Sequence, residues 1–321
     1  MKLLNDILPV KYPVLMAPMF LVSNQQLVLA GLQSGIAAAF PAANYRSIDE
    51  LKDVIVSIQS KGHKGIGVNL IVNKSNPQLD RQLAVCVDTH VDFVITSLGN
   101  PKAVIDACHS KGILVFCDVT DMKYAEKVVK LGADALIAVN NKAGGHPGKL
   151  DGDVLSRQLL ETFDVPVIYA GGIASGSDID SALSIGVSGV SIGSLFLASQ
   201  EAPISDAYKQ AVISHSAADI TTSDKLSGAP LHVINTDYVK RIGTKTNAFN
   251  RFLYRHKKIR HILKGLAMKR GMKMLEKAAF SATYKNIWVA GPSIEHIHKI
   301  ETVKKQVEQL LTDSEKLREF S

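Results

Sequence analysis

Among ten histidines, one sits where the surrounding residues would let it do chemistry. In Asn140-Asn141-Lys142-Ala143-Gly144-Gly145-His146-Pro147-Gly148, three glycines and a proline hold His146 directly after an apolar run that reads as a strand. A neutral imidazole there can take a proton, and an imidazolium can neutralise an anion. Two further loops carry glycine: Ala170-Gly171-Gly172-Ile173-Ala174-Ser175-Gly176 and Gly193-Ser194. Glycine lets the backbone approach an anion closely, and the N–H groups opening a following helix can hold phosphate. A tight turn is the plainer reading of a lone Gly-Gly, but two such loops in successive units point to a phosphate site. Ala17-Pro18-Met19, Asn69, Ser97-Leu98-Gly99-Asn100 and Thr120-Asp121 stand at the ends of other apolar runs. Together they would line one pocket with small side chains and amides, as a flat heteroaromatic cofactor requires. His63, His109 and His215 fall on helices or helix ends and read as ordinary surface histidines.

The elements that must position these groups are short, continuously apolar runs. Strands are expected at about 14–16, 35–40, 65–70, 93–96, 113–119, 135–139, 165–170 and 189–192. Continuous rather than alternating apolarity is the mark of strands covered on both faces. Helical signals lie between them. Ser47-Ile48-Asp49-Glu50 reads as a capping box, Pro101 as a first-turn proline, and Gly112, Gly132 and Gly186 follow helix ends. Eight strands alternating with helices predict an α/β protein, a TIM (β/α)8 barrel rather than an open doubly wound sheet. Its active site would lie at the strands' C-terminal ends, with loops seven and eight on phosphate.

The pattern changes after the eighth strand. The expected division is a cofactor-binding barrel over 1–220, a basic and mostly helical lid over 221–290, and a C-terminal helix within 291–321 docking back on the barrel. Ile294, Ile297, Ile300, Val303, Val307 and Leu310 give that helix one apolar face. The chain of 321 residues has net charge +7, but the stretch Lys240–Lys277 alone carries 13 basic residues and one acid, Glu276. The remainder is mildly acidic. A basic surface can serve nucleic acid or anionic membrane, and Phe249, Phe252 and Tyr254 interleave with Arg251 and Arg255. The same spacing fits plain helix packing, so nucleic acid is not an expected partner. No apolar run reaches the ~18 residues of a membrane span. The first residues do not read as a signal peptide. Three cysteines without a CxxC pair point to reduced thiols in the cytoplasm, and metal-ligand spacing is absent.

MAPM after the first strand, GVNL at the third, AGGHPG after the sixth, AGGIASG after the seventh and GVSIGSLFLAS at the eighth resemble the nitronate monooxygenase family, formerly 2-nitropropane dioxygenases. LSGAPLHVIN (226–235) and WVAGPSIEHI (288–297) extend the similarity through nearly the whole chain. The same superfamily includes FMN-dependent enoyl-acyl-carrier-protein reductases. The resemblance implies a barrel holding FMN without a covalent link. Ala17 and Met19 would pack on the isoalloxazine and Asn69 would hydrogen-bond it. Gly171, Gly172, Gly193 and Ser194 would take the phosphate, and Thr120, Ala143, Gly144 and Gly145 complete the expected cofactor set. His146 would be the catalytic residue, abstracting the α-proton of neutral nitroalkanes and acting electrostatically on anionic nitronates. The implied reaction oxidises an alkyl nitronate with O2 to a carbonyl compound and nitrite.

Two positions depart from the family's pattern. Lys142 stands where an acid is common before AGGH, which would favour an anionic substrate and lower the pKa of His146. Ser194 stands where threonine is common. The alternative function is an NAD(P)H-dependent FMN reductase of an enoyl thioester or a quinone, for which the basic segment could dock an acidic carrier protein. Small-molecule substrate and O2 are the expected partners, with NAD(P)H and a second copy of the chain as further candidates.

Overall fold

Strand boundaries fall where the apolar runs meet glycine and proline. In the computed structural model, which describes residues 2–73, 76–225, 229–245, 274, 276, 278–280 and 286–320, the eight strands are β1 (Val14–Met16), β2 (Ala37–Pro41), β3 (Ile66–Ile71), β4 (Phe93–Ser97), β5 (Leu114–Val119), β6 (Ala135–Val139), β7 (Val167–Ala170) and β8 (Gly189–Ile192). They pair in parallel in sequence order, and β8 closes on β1 through Val14↔Val190 and Met16↔Ile192. The expected TIM barrel is therefore present. Two strands begin later than their apolar runs. Gly35 turns with φ +82° while its carbonyl accepts from Lys11 and Tyr12, so β2 starts beyond it. Pro166 has no N–H to give the ladder and contributes only its carbonyl, which accepts from Leu136 N at 2.8 Å.

A short helix, α1 (Leu4–Ile7), stands at the chain's start and places Leu4 and Leu8 under the barrel. Helices α2 (Gln25–Gln33), α3 (Ile48–Gln59), α4 (Leu79–Asp88), α5 (Lys102–His109), α6 (Met122–Lys130), α7 (Gly152–Thr162) and α8 (Gly176–Ser184) follow the first seven strands in turn. The Ser47 hydroxyl accepts from Glu50 N as expected. Glu50 returns its carboxylate to Arg46 N instead of to Ser47, so the box is only half closed.

Inside the barrel, Leu15, Ala39, Phe93, Ile95, Phe116 and Ile137 form an apolar plug, with Phe93 and Phe116 stacked at 4.9 Å. Gly67 makes room for it: a Cβ there would lie 2.3 Å from the Phe93 ring. A second, larger core packs the strands' outer faces against the helices. Cys86, Cys108 and Cys117 are free and buried, in keeping with reduced thiols.

Beyond β8 come α9 (Asp206–Ser214), an antiparallel ribbon of β9 (Ile220–Ser223) and β10 (Leu231–Ile234), α10 (Asp237–Ile242), α11 (Val303–Asp313) and α12 (Glu315–Arg318). The single helix expected over about 293–311 is instead a 3-10 turn, Pro292–His296, followed by α11. Glu301 explains the break. Its backbone bridges Ser199, exchanging hydrogen bonds with Ala198 O and Gln200 N, which is extended geometry, and Thr302 then caps a new helix by accepting from Lys305 N. Ile294, Ile297, Val303, Val307 and Leu310 are nevertheless all buried. α11 lies against α2 and α8. On α8, Asp180 accepts from Ser314 Oγ, Glu315 N and Lys316 N and so caps α12 from outside. Within 221–290, expected as a mostly helical lid, the described residues begin with the antiparallel β9–β10 ribbon and only then α10, while most of the basic stretch 240–277 lies outside the described residues.

Candidate active site

All twelve site residues singled out in the sequence line one cavity of about 750 Å³ at the C-terminal end of the barrel: Ala17, Met19, Asn69, Thr120, Ala143, Gly144, Gly145, His146, Gly171, Gly172, Gly193 and Ser194. That volume lies in the range of cofactor and ligand sites. Twelve residues from six strands meet because each lies in the C-terminal half of its strand or in the loop that follows it.

The histidine loop is built on Asn140, which is fully buried. Its carbonyl accepts from Ala143 N at 3.2 Å and Gly148 N at 2.9 Å, closing the loop on itself. Its side chain accepts from Lys142 N at 2.8 Å and donates to Gly171 O at 3.0 Å, tying this loop to the one after β7. Gly171 and Gly172 have φ of +117° and +83°, a conformation that excludes ordinary side chains. A Cβ on Gly171 would lie 2.2 Å from Asn140 Oδ1 and 2.5 Å from Ala143 N, so the loops touch backbone to backbone. Asn140→Ala would remove two part-buried hydrogen bonds, to Lys142 N and Gly171 O, each contributing about 1 kcal/mol. We expect a lowered melting temperature, measurable in a thermal melt.

The ribbon clasps the same loop from the other side. His232 N donates to Gly145 O at 2.8 Å. Its Nδ1 lies 2.9 Å from Ala143 O, and since a carbonyl can only accept, Nδ1 carries the proton. Ser194 Oγ accepts from Gly291 N at 3.0 Å, which leaves its own proton to donate into the cavity. Segments about 230–234 and 286–293 thus complete the wall, with Pro230, Leu231, Ile287 and Ser293 lining it. These are the stretches whose sequence was distinctive but carried no legible role.

His146 opens onto the cavity while protein surrounds it on most sides. Loss of hydration disfavours its charged form and lowers its pKa, so the ring is neutral and basic at pH 7. The direction is the expected one, but burial causes it, not the charge of Lys142. Lys142 does line the cavity. The start of α8 differs from the anticipated phosphate grip. There Asp178 accepts from Ala174 N and Ser175 N, and its own N–H donates to Ser175 Oγ, so a carboxylate already stands at the entry to the helix. The glycine loops and Ser194 line the cavity beside it.

The floor of the cavity is polar. Asn69 Nδ2 donates to Ser97 Oγ at 2.7 Å, and Ser97 Oγ donates to Asp118 Oδ2 at 2.5 Å. Asp118 had no signal of its own in the sequence, since one acid inside an apolar strand does not reveal its neighbours. At the mouth, Leu21 and Leu98 have φ of 66° and 59°, backbone strain of about 1–3 kcal/mol each. Leu21 N is held by Asn44 Oδ1 at 2.8 Å, and Tyr124 OH donates to Gly99 O beside Leu98 at 2.8 Å. Among the described residues no group of acids, histidines and cysteines could hold a metal ion, and no helix is long and apolar enough to cross a membrane.

Over 239 residues, 74% of this chain and 67% of the relative, the sequence is 29% identical to (3aS,4S,5R,7aS)-5-hydroxy-7a-methyl-1-oxo-octahydro-1H-indene-4-carboxyl-CoA dehydrogenase of Rhodococcus jostii. It is 33% identical to nitronate monooxygenase of Paraburkholderia phytofirmans over 156 residues, 46% of this chain and 43% of that one. FabK from Thermotoga maritima superposes with TM-score 0.82 at 26% identity, covering 99% of this chain and 98% of that one. Nitroalkane oxidase from Streptomyces ansochromogenes shares the fold, with TM-score 0.77 at 22% identity over 98% of this chain and 99% of that one. The sequence model of the nitronate monooxygenase family matches residues 74–313. The chain belongs to the nitronate monooxygenase family of flavin-dependent oxidoreductases.

Proposed function

We propose that the protein binds FMN and uses it to oxidise alkyl nitronates with O2, giving a carbonyl compound and nitrite. The observation that carries this reading is a neutral, cavity-facing His146 on a loop hydrogen-bonded to the glycine pair Gly171–Gly172. The residues fit the cofactor: at Gly171 and Gly172 the backbone presents no side chain toward the cavity, and the Ser194 hydroxyl stands ready to donate. Gly171, Gly172, Gly193 and Ser194 would hold the phosphate, with Ala17 and Met19 packing on the ring and Asn69 bonding it. Thr120 and the Ala143–Gly145 backbone would complete the enclosure. The flavin would supply the two-electron oxidation. His146 would hold the α-proton of a neutral nitroalkane at an imidazole nitrogen. Lys142 would draw an anionic nitronate into the cavity.

A second reading is an NAD(P)H-dependent reductase. It is favoured by the CoA-thioester relative and by the superposition on FabK over nearly the whole of both chains. Anaerobic mixing separates the two. Bleaching of the 450 nm flavin band by an alkyl nitronate, and not by NADH or NADPH, supports the oxidation. Bleaching by a pyridine nucleotide alone supports the reductase.

A further inference from the structure

The flavin reading uses Asn69 but leaves Asp118 without a task. Side chains two residues apart on a strand point to the same face. Phe93 and Ile95 on β4 and Phe116 on β5 belong to the apolar plug. Ser97 and Asp118, two residues beyond Ile95 and Phe116, therefore point into the barrel's open end, directly above it. Both line the cavity, as does Asn69 from β3. The three side chains form one hydrogen-bonded line, Asn69 Nδ2 to Ser97 Oγ and Ser97 Oγ to Asp118 Oδ2. Among the described residues, Asp118 takes part in no ion pair. The barrel thus carries an uncompensated carboxyl in its floor, at the site where the cofactor's ring system is expected.

We propose that Asp118 is a proton-holding group of the flavin site, whose charge sets the reduction potential of the bound flavin. This rests on the FMN reading above. Reduction loads negative charge onto the isoalloxazine. A carboxylate in the floor opposes that charge, whereas a carboxylic acid does not. Electrons entering the flavin therefore draw a proton onto Asp118: oxidised flavin, two electrons, one proton on the flavin and one on the carboxylate give reduced flavin beside a neutral acid. Burial pushes the Asp118 carboxyl up to about 6, partly offset by the Ser97 hydrogen bond, so the switch falls close to neutral pH. His146 and Asp121 line the same cavity, but both are present in wild type and in Asp118→Asn alike, so the difference between the two proteins reads the carboxyl of Asp118. Tyr124 on α6 and Cys117 on β5 are both pushed up to about 12 by burial and stay neutral. β3 and β4 contribute the amide of Asn69 and the hydroxyl of Ser97, β6 contributes Ile137 and Val139, and the loop after β6 brings Lys142 and His146 into the same cavity.

The test uses full-length protein and Asp118→Asn, each loaded with FMN. Binding is followed by quenching of flavin fluorescence, and the potential by dye-coupled anaerobic titration from pH 5 to 8.5. At pH 8 the reduction equilibrium of Asp118→Asn should lie about tenfold further toward reduced flavin, which is about 30 mV for a two-electron couple. That difference should close toward pH 5, where the carboxyl is neutral. In Ser97→Ala, loss of the hydrogen bond to the carboxylate should move the closing point to higher pH, a shift that a purely structural role would not produce. Equal potentials at every pH, or an offset that does not vary with pH, would overturn the proposal while leaving FMN in place. Wild-type protein that fails to bind FMN would overturn the cofactor reading itself.

Discussion

Replacing His146 by asparagine should leave flavin bound while cutting turnover of neutral nitroalkanes by about 10²-fold or more, the usual contribution of a general base. Asparagine keeps hydrogen-bonding capacity but cannot accept the α-proton. The loop itself should survive, because Asn140 and the backbone clasp of His232 on Gly145 anchor it. Preformed nitronates need no deprotonation, so their turnover should fall much less, and the ratio of the two losses is the diagnostic. The pH profile gives an independent check. Burial lowers the pKa of His146, so the wild-type kcat/KM for a neutral nitroalkane should hold level as pH falls through 6.5 and drop only below it. Near-wild-type turnover of the neutral substrate by His146→Asn would assign the base elsewhere.

The second large effect is expected at Gly172. Gly172→Asp places a carboxylate on the proposed phosphate site, in a backbone conformation with φ +83°. Two unit charges 4 Å apart repel by about 4 kcal/mol at an effective dielectric constant of 20, so FMN should bind ~10³-fold more weakly or not at all. A Cβ at this position lies 3.1 Å from Lys142 Cδ, the flexible part of a side chain, so the chain can still fold. Gly172→Ala separates strain from charge and should retain far more flavin than the aspartate. Flavin content, read as the ratio of absorbance at 450 and 280 nm, decides it. A Gly172→Asp protein with full flavin would move the phosphate to another loop.

These expectations show how far local sequence reaches. The barrel was legible because each parallel strand is buried on both faces and so reads as an unbroken apolar run, bounded by glycine or a helix cap. The cavity lining was legible for a related reason: in this fold the residue just past each strand end faces one common mouth. What connects those residues was not. Asn140 reaches Gly171 and His232 reaches Ala143 across 31 and 89 positions of chain, and no local pattern marks either contact. The Asn69–Ser97–Asp118 line depends on the register between three neighbouring strands. The split of the C-terminal helix was hidden for another reason. Ile294 to Leu310 keep an apolar spacing whether or not the backbone turns extended at Glu301, because either path buries the same residues. The lowered pKa of His146 was expected from Lys142, yet it follows from the depth of the cavity, which a sequence does not display.

Oxygen consumption by the FMN-loaded protein, given an alkyl nitronate and no NAD(P)H, tests the proposed activity most directly. Rapid uptake with release of nitrite is the predicted result. No uptake by protein that retains its flavin would contradict the oxidation and make the pyridine-nucleotide reductase the function of this barrel.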